Sequence, residues 1–199
     1  MNRYTILGLV VGLVLGVFIG YQAGSTVGHG PGAPSAAAPM PPGGQMPPGA
    51  MPPGGDADHQ RRIAQLQSIV ARDPKNVQAW IQLGNDFFDT QQPQKAIEAY
   101  GRALELKPDD PNVLTDQGVM HRALGQFDKA IANFEKASRA DPKHVQSLFN
   151  MGVVYSADLR QPKKAIEAWS RVIQVAPQSE QAVSARQAIE ETKASAGLK

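Results

Sequence analysis

The chain has 199 residues, 42% hydrophobic and 19% charged, with 20 lysines and arginines against 18 acids for a formal charge of +2. It contains no cysteine, which excludes disulfides, thiolate metal sites, a thiol nucleophile and a lipid-modified cysteine near the N-terminus. All 18 acids and 19 of the 20 bases lie beyond Gly55, so the charged part is near neutral and lacks the basic surplus that a nucleic-acid binder needs.

Residues 1–28 carry no charge after Arg3, and residues 6–19 are almost purely aliphatic and glycine. A bilayer core needs about 20 such residues, so the segment reads as a transmembrane helix. Arg3 and the amino terminus are the only cations before Arg61, which sets the N-terminus in the cytoplasm and the rest of the chain across a bacterial-type inner membrane, in the periplasm. A cleaved signal peptide is the competing reading: the apolar run is short enough, and Ala23, Gly24 and Ser25 offer a small-x-small site, although Tyr21 disfavours cleavage there. Either way the remainder is exported. Glycines recur every four residues at Gly8, Gly12, Gly16, Gly20, Gly24 and Gly28, a face on which a second membrane helix could pack. The contact could serve a homo-oligomer or a partner's membrane helix.

Residues 29–55 hold nine prolines and seven glycines and no charge, a composition that cannot bury enough apolar area to order itself. The segment reads as a disordered spacer reaching on the order of 80 Å. Two sharper roles, a proline docking ligand and a Cu(I) site of Met40, Met46 and Met51, have weaker support, since the methionines stand in a floppy chain far from any second ligand type.

From residue 77 the chain repeats. Pro74, Pro108, Pro142 and Pro177 stand 34, 34 and 35 residues apart. The positions between them recur: Trp80, Leu83, Gly84, Phe87, Ala96, Tyr100 and Ala103 in the first block; Leu114, Gln117, Gly118, His121, Ala130, Phe134 and Ala137 in the second; Leu148, Met151, Gly152, Tyr155, Ala165, Trp169 and Val172 in the third. A period in this range means stacked supersecondary units, here two antiparallel helices, A and B, per block. The small residue lets the two backbones approach, the B-helix aromatic closes the pair, and proline ends each B helix. Residues 56–76 predict a preceding cap helix, with Asp58 as its N-cap and Ile63, Leu66, Ile69 and Val70 on one face. The three repeats fill residues 77–179, the third with one extra residue in its A–B turn. Residues 180–199 predict a closing helix capped by Ser179, with Ala182, Val183, Ala185, Ala188 and Ile189 turned inward and a tail fraying from Ala194.

No catalytic constellation is present in the sequence. His29, His59, His121 and His144 show no metal-ligand spacing, and neither a phosphate loop nor a nucleophile elbow occurs. His121, where other repeats carry an aromatic ring, reads as a packed or half-exposed ring rather than a base, and Asp109, Asp110 and Asp116 as surface charges or caps. The chain reads as a non-enzymatic binder without cofactor or metal.

The blocks resemble the tetratricopeptide repeat (TPR). The resemblance implies an all-α helix-turn-helix solenoid whose A helices line a concave groove, with positions 2, 5, 9 and 12 of each repeat facing a bound peptide or protein. Here those are Gln78, Ile81, Asn85 and Phe88; Asn112, Thr115, Val119 and Arg122; Gln146, Phe149, Val153 and Ser156. Ile81 and Val153 are the members most apt to be structural. The clamp by which chaperone cofactors of this family hold a C-terminal carboxylate is not matched: Asn85 fits, but Ile81 and Gln146 replace lysines, Asp116 replaces an asparagine and Asn150 an arginine. Residues 60–190, notably 72–84 and 107–116, also resemble the periplasmic TPR domains of bacterial c-type cytochrome biogenesis proteins, which implies a membrane-anchored adaptor that holds apocytochromes. The alternatives are an adaptor of another envelope assembly and a scaffold self-associating through its glycine-spaced helix.

Overall fold

The computed structural model describes residues 55–198. The predicted membrane segment, its glycine face and nearly all of the Pro/Gly spacer lie outside them. The described residues fold into eight helices: α1 (Gly55–Arg72), α2 (Val77–Asp89), α3 (Pro93–Leu106), α4 (Pro111–Ala123), α5 (Phe127–Ala140), α6 (Val145–Val153), α7 (Pro162–Val175) and α8 (Glu180–Ala196). Pairs α2/α3, α4/α5 and α6/α7 are the three repeats. α1 stands in for a B helix without its A, and α8 for an A helix without its B. None of these helices is long and apolar enough to cross a membrane.

Local sequence sets each boundary. Every A helix has a side-chain N-cap: Asn76 accepts from the Ala79 N–H at 2.9 Å, Asp110 from Asn112 and Val113, His144 from Ser147, and Ser179 from Ala182. The B helices α3 and α7 start on Pro93 and Pro162, where the missing N–H is no loss. Between A and B, one residue per repeat takes a left-handed conformation: Gln91 at φ 54°, Gly125 at 70° and Arg160 at 52°. Only Gly125 is suited to it.

The extra residue of the third repeat has a definite place. α6 runs on into a π-helical turn, Val154–Asp158, and the Gln161 N–H reaches the Tyr155 carbonyl. In the shorter repeats the equivalent bonds run from Gln92 to Phe87 and from Gln126 to His121. The insertion is thus absorbed as one wide helical turn, a common way to accommodate a single added residue.

The predicted close pairing of A and B helices is present in all three repeats. A Cβ added at Gly84 would lie 2.5 Å from the Tyr100 ring, at Gly118 2.6 Å from Phe134, and at Gly152 2.3 Å from Trp169. Each aromatic ring therefore lies directly on the backbone of the facing helix. Polar ends are satisfied: the Tyr100 hydroxyl donates to Asn85 Oδ1 at 2.9 Å, and the Trp169 indole N–H to the Phe149 carbonyl at 3.1 Å. The alanines at 96, 103, 130, 137 and 165 are fully buried, permitting the close crossings.

Gln117, one of the departures from the repeat pattern, has a role of its own. Its amide donates to the Ile97 carbonyl at 3.0 Å and accepts from Asn133 at 2.8 Å, joining α3, α4 and α5. His121 is half-buried against Gln126, and burial lowers its pKa. The other two repeats place a lysine over the ring at this position, Lys95 over Phe87 and Lys164 over Tyr155. Lys129 acts on His121 in the same sense and further disfavours its protonation.

Four expectations fail at the ends of the stack. Asp58 lies inside α1, which begins at Gly55, and pairs with Arg61 instead of capping. Ile69 is 42% exposed; among the described residues no A helix packs over it. Val183 is 62% exposed; among the described residues no B helix packs over it. The last helix persists to Ala196, where Gly197 at φ 65° closes it and the Leu198 N–H reaches the Lys193 carbonyl.

Candidate peptide-binding face

Successive A helices touch one another along the stack, while successive B helices are held apart. The A helices therefore lie on the inner side of the curve, and their uncovered strip is the candidate binding face. At 100° per residue, position 8 (Gly84, Gly118, Gly152) points at helix B. The opposite strip should then run through positions 2, 6, 9 and 13. Burial agrees: in α2 these are Gln78, Gln82, Asn85 and Asp89, all exposed. In α4 they are Asn112, Asp116, Val119 and Ala123, and in α6 and its π turn Gln146, Asn150, Val153 and Ala157, none of them buried.

Of the twelve positions assigned from family register, six are on this strip and six are not. Gln78, Asn85, Asn112, Val119, Gln146 and Val153 lie on the strip. Positions 5 and 12 turn sideways into the contact with the next repeat. Thr115 is 1% exposed, its hydroxyl donating to the Pro111 carbonyl at 2.7 Å. Phe149 is buried with Trp169 in the core of the third repeat. Phe88 is half-buried against the first-repeat core, and Ile81 beside it. Arg122 is committed to Asp158, donating from Nε at 2.5 Å, and Ser156 faces Thr192 of α8 at 3.2 Å. Thr115 and Phe149 are withdrawn as ligand contacts, since neither offers surface. The register signal missed Gln82, Asp89, Asp116, Asn150, Ala123 and Ala157; the helical angle from position 8 was enough to find them.

Several strip residues are already tied down. His144 caps α6 with Nδ1, which leaves Nε2–H to donate to Asn112 Oδ1 at 3.0 Å. Burial keeps this imidazole neutral, holding its pKa below the usual value despite Asp141 and Asp110. Asn85 receives the Tyr100 hydroxyl. Asp116 differs from all of these. Its carboxylate makes no hydrogen bond or ion pair with any described residue. Burial, with Asp110 and Asp89 as like-charged neighbours, pushes it up to about 7. It was expected to be a plain surface charge or cap. Asp110 is the cap; Asp116 is a half-buried acid without a counter-charge.

The other buried carboxylate is well provided for. Asp86, 4% exposed on α2, accepts from Arg62 Nε at 3.0 and 3.2 Å and from the His59 ring at 2.9 Å. Burial opposes its ionisation, but the hydrogen bonds from Arg62 and His59 outweigh it and hold the carboxyl below the usual range. His59, Asp86 and Asp89 bring three potential metal ligands within 4.8 Å of one another. The Arg62 guanidinium already neutralises Asp86, so the cluster is better described as the fastening of α1 to α2 than as a cation site.

The described residues form an all-α stack of two-helix repeats whose A-helix face is lined by amides, small apolar residues and two acids. The chain belongs to the tetratricopeptide repeat family, whose model matches three overlapping windows, residues 59–111, 81–145 and 115–180, more than half of the sequence. It is 33% identical over 98 residues to the small glutamine-rich tetratricopeptide repeat-containing protein 2 of Mycosarcoma maydis, covering 49% of this chain and 27% of that protein. The chain thus spans about a quarter of that relative's length. Among solved structures it resembles MamA, with a TM-score of 0.67 at 23% identity over 72% of this chain and 82% of that one. It also resembles the first TPR of Spaghetti (RPAP3) bound to an HSP90 peptide, with a TM-score of 0.56 at 18% identity over 63% and 96% of the two chains. These two likenesses speak to the fold.

Proposed function

We propose that the protein is a non-enzymatic adaptor that holds a peptide or protein segment on the open face of its A helices. The observation that carries this is the strip itself. Three successive A helices present amides, small apolar residues and two acids at the same four positions, while the opposite side of each helix is consumed by packing. Such a surface offers hydrogen-bond partners for a ligand backbone and shallow apolar contacts for its side chains. The RPAP3 domain with its bound peptide SRMEEVD supports the reading as a precedent for the fold. In the same reading the apolar N-terminal segment anchors the stack in a membrane and the Pro/Gly segment spaces it away. The resemblance to cytochrome biogenesis domains makes haem-protein assembly the first envelope process to test.

The test is to recover the full chain from its native membranes in mild detergent and identify what comes with it by mass spectrometry. A paired variant, Ala123→Tyr with Ala157→Tyr, fills the exposed strip with neutral bulk and leaves the core alone. Partners lost with that pair establish the face as the binding surface. A partner set that the pair leaves unchanged refutes it. Cytochrome assembly proteins among those lost would support the pathway, and any other envelope set would dismiss it.

A further inference from the structure

We infer that the segment received on this face is cationic, with a lysine or arginine of the partner serving as the counter-charge that Asp116 lacks in the free protein. This rests on the adaptor reading and adds the chemistry of the ligand.

The argument is one of charge on a surface of known composition. Of the twelve strip positions, two are carboxylates, Asp89 and Asp116, and none is a cation. The chain as a whole is formally +2, so the negative strip is not a by-product of overall acidity. Arg122 is paired with Asp158 and Arg62 with Asp86, and Arg62 and His59 also act on Asp89, whereas no cation acts on Asp116. Asp116 feels only repulsion, from Asp110 at the start of its own helix and from Asp89 on α2. No described side-chain oxygen is both buried and without a partner, so the Asp116 oxygens reach the face and can be contacted from it.

A group that lowers stability in the free protein and gains a partner on binding is what differential binding requires. A partner's ammonium or guanidinium beside Asp116 would be partly shielded from water by α2 and α4, where a charge-assisted hydrogen bond is stronger than on an open surface. Val119 and Val153 lie along the same strip and suit the apolar residues flanking the cation. An acidic segment would meet like charge in the middle of the face, which costs both affinity and association rate.

The experiment is to pan a random peptide library displayed on phage against the full chain in mild detergent at about pH 8 and low ionic strength, in parallel with Asp116→Asn and with the Ala123→Tyr, Ala157→Tyr pair. The expected result is a wild-type pool enriched in lysine and arginine and lost on the tyrosine pair. Individual peptides from it should bind Asp116→Asn about tenfold more weakly and should weaken with added salt. Asp116→Asn removes a repelled charge, so it should fold, and its melting curve checks that it does. A pool that is neutral or acidic, yet still lost on the tyrosine pair, overturns the charge inference and leaves the adaptor face standing. No enrichment, or a pool indifferent to the pair, overturns both.

Discussion

Gly118→Ala sets two effects of opposite sign against each other. Alanine is the better helix former by about 1 kcal/mol, so propensity alone predicts a more stable protein. The structure predicts the reverse. The new methyl carbon would lie 2.6 Å from Cε1, 2.9 Å from Cδ1 and 3.1 Å from Cζ of Phe134, whereas carbon atoms rest at about 3.5–4.0 Å. Phe134 is fully buried and is a rigid ring, so relief requires α4 and α5 to move apart. Overpacking of this kind costs about 1–3 kcal/mol, and with so much overlap the upper end applies, leaving a net loss of about 1–2 kcal/mol. Gly101 supplies the control, since its added Cβ meets only Gln117 Nε2 at an ordinary 3.6 Å. Gly101→Ala should stabilise by about 0.5–1 kcal/mol. The assay is urea unfolding of the full chain followed by far-ultraviolet circular dichroism, with Phe134→Leu added to complete a double-mutant cycle. In that background Gly118→Ala should lose most of its cost. If Gly118→Ala is as stable as the parent, the ring does not bear on the helix backbone and the account of the repeat is wrong.

Other expectations follow from features of the same kind. Gln91→Gly and Arg160→Gly should each raise stability by about 0.5–1 kcal/mol, read as a higher melting temperature, because both residues hold a left-handed backbone that glycine adopts freely; a fall in either would show that its side chain matters more than its φ. Arg62→Ala should cost about 2 kcal/mol, discounted for the guanidinium's exposure, and should speed hydrogen exchange in α1 first. Because the Asp86 pKa is lowered in the folded state, the stability that this pair supplies is present at neutral pH and fades as pH falls below about 4; Arg62→Ala should therefore flatten the acid limb of the stability curve. Asp116 has the opposite sign. Its pKa is raised to about 7, so the folded protein holds a proton that the unfolded chain releases between about pH 4 and 7, and stability falls as pH rises through that window. Asp116→Asn should accordingly be more stable than the parent by about 2 kcal/mol at pH 8, a figure already reduced for the half-buried site, and by only about a third of that at pH 5. An equal effect at both pH values would mean that Asp116 is ionised throughout.

The repeat architecture was legible in the sequence because its determinants are local and periodic. The glycine–aromatic pairs, the prolines and the Asn76 and Ser179 caps each act within one block, and three copies of the block check one another. What was not legible depended on neighbours. Ile69 and Val183 belong to apolar faces at repeat positions, but whether such a face is covered depends on a neighbouring helix, and none of the described helices supplies one. Positions 5 and 12 were assigned to the groove by register, yet Thr115 and Phe149 are drawn inside by α6 and α7. The state of Asp116 could not be read from residue 116 alone. It follows from burial in the packed chain, with Asp110 and Asp89, the latter 27 residues away, as like-charged neighbours. The extra residue near Ala157 was countable from the sequence, while its conversion into a π turn was not.

The half repeats at the two ends bear on assembly. A helix of type B opens the described stack and one of type A closes it, so the end of one molecule is, in outline, the missing partner for the start of another. Repeated head to tail, that fit would generate an open filament. The side chains at the joint oppose it. Where interior B helices carry Ala96 and Ala99 against the facing backbone, α1 carries Arg62 and Gln65. Where interior A helices carry a glycine, α8 carries Gln187, with Arg186 and Glu190 beside it. These larger side chains stand where interior pairs use alanine and glycine, the positions at which an aromatic ring lies on the facing backbone within the stack. Paired helices of this stack tolerate only small residues at their point of closest approach, and neither end of the described stack offers them there.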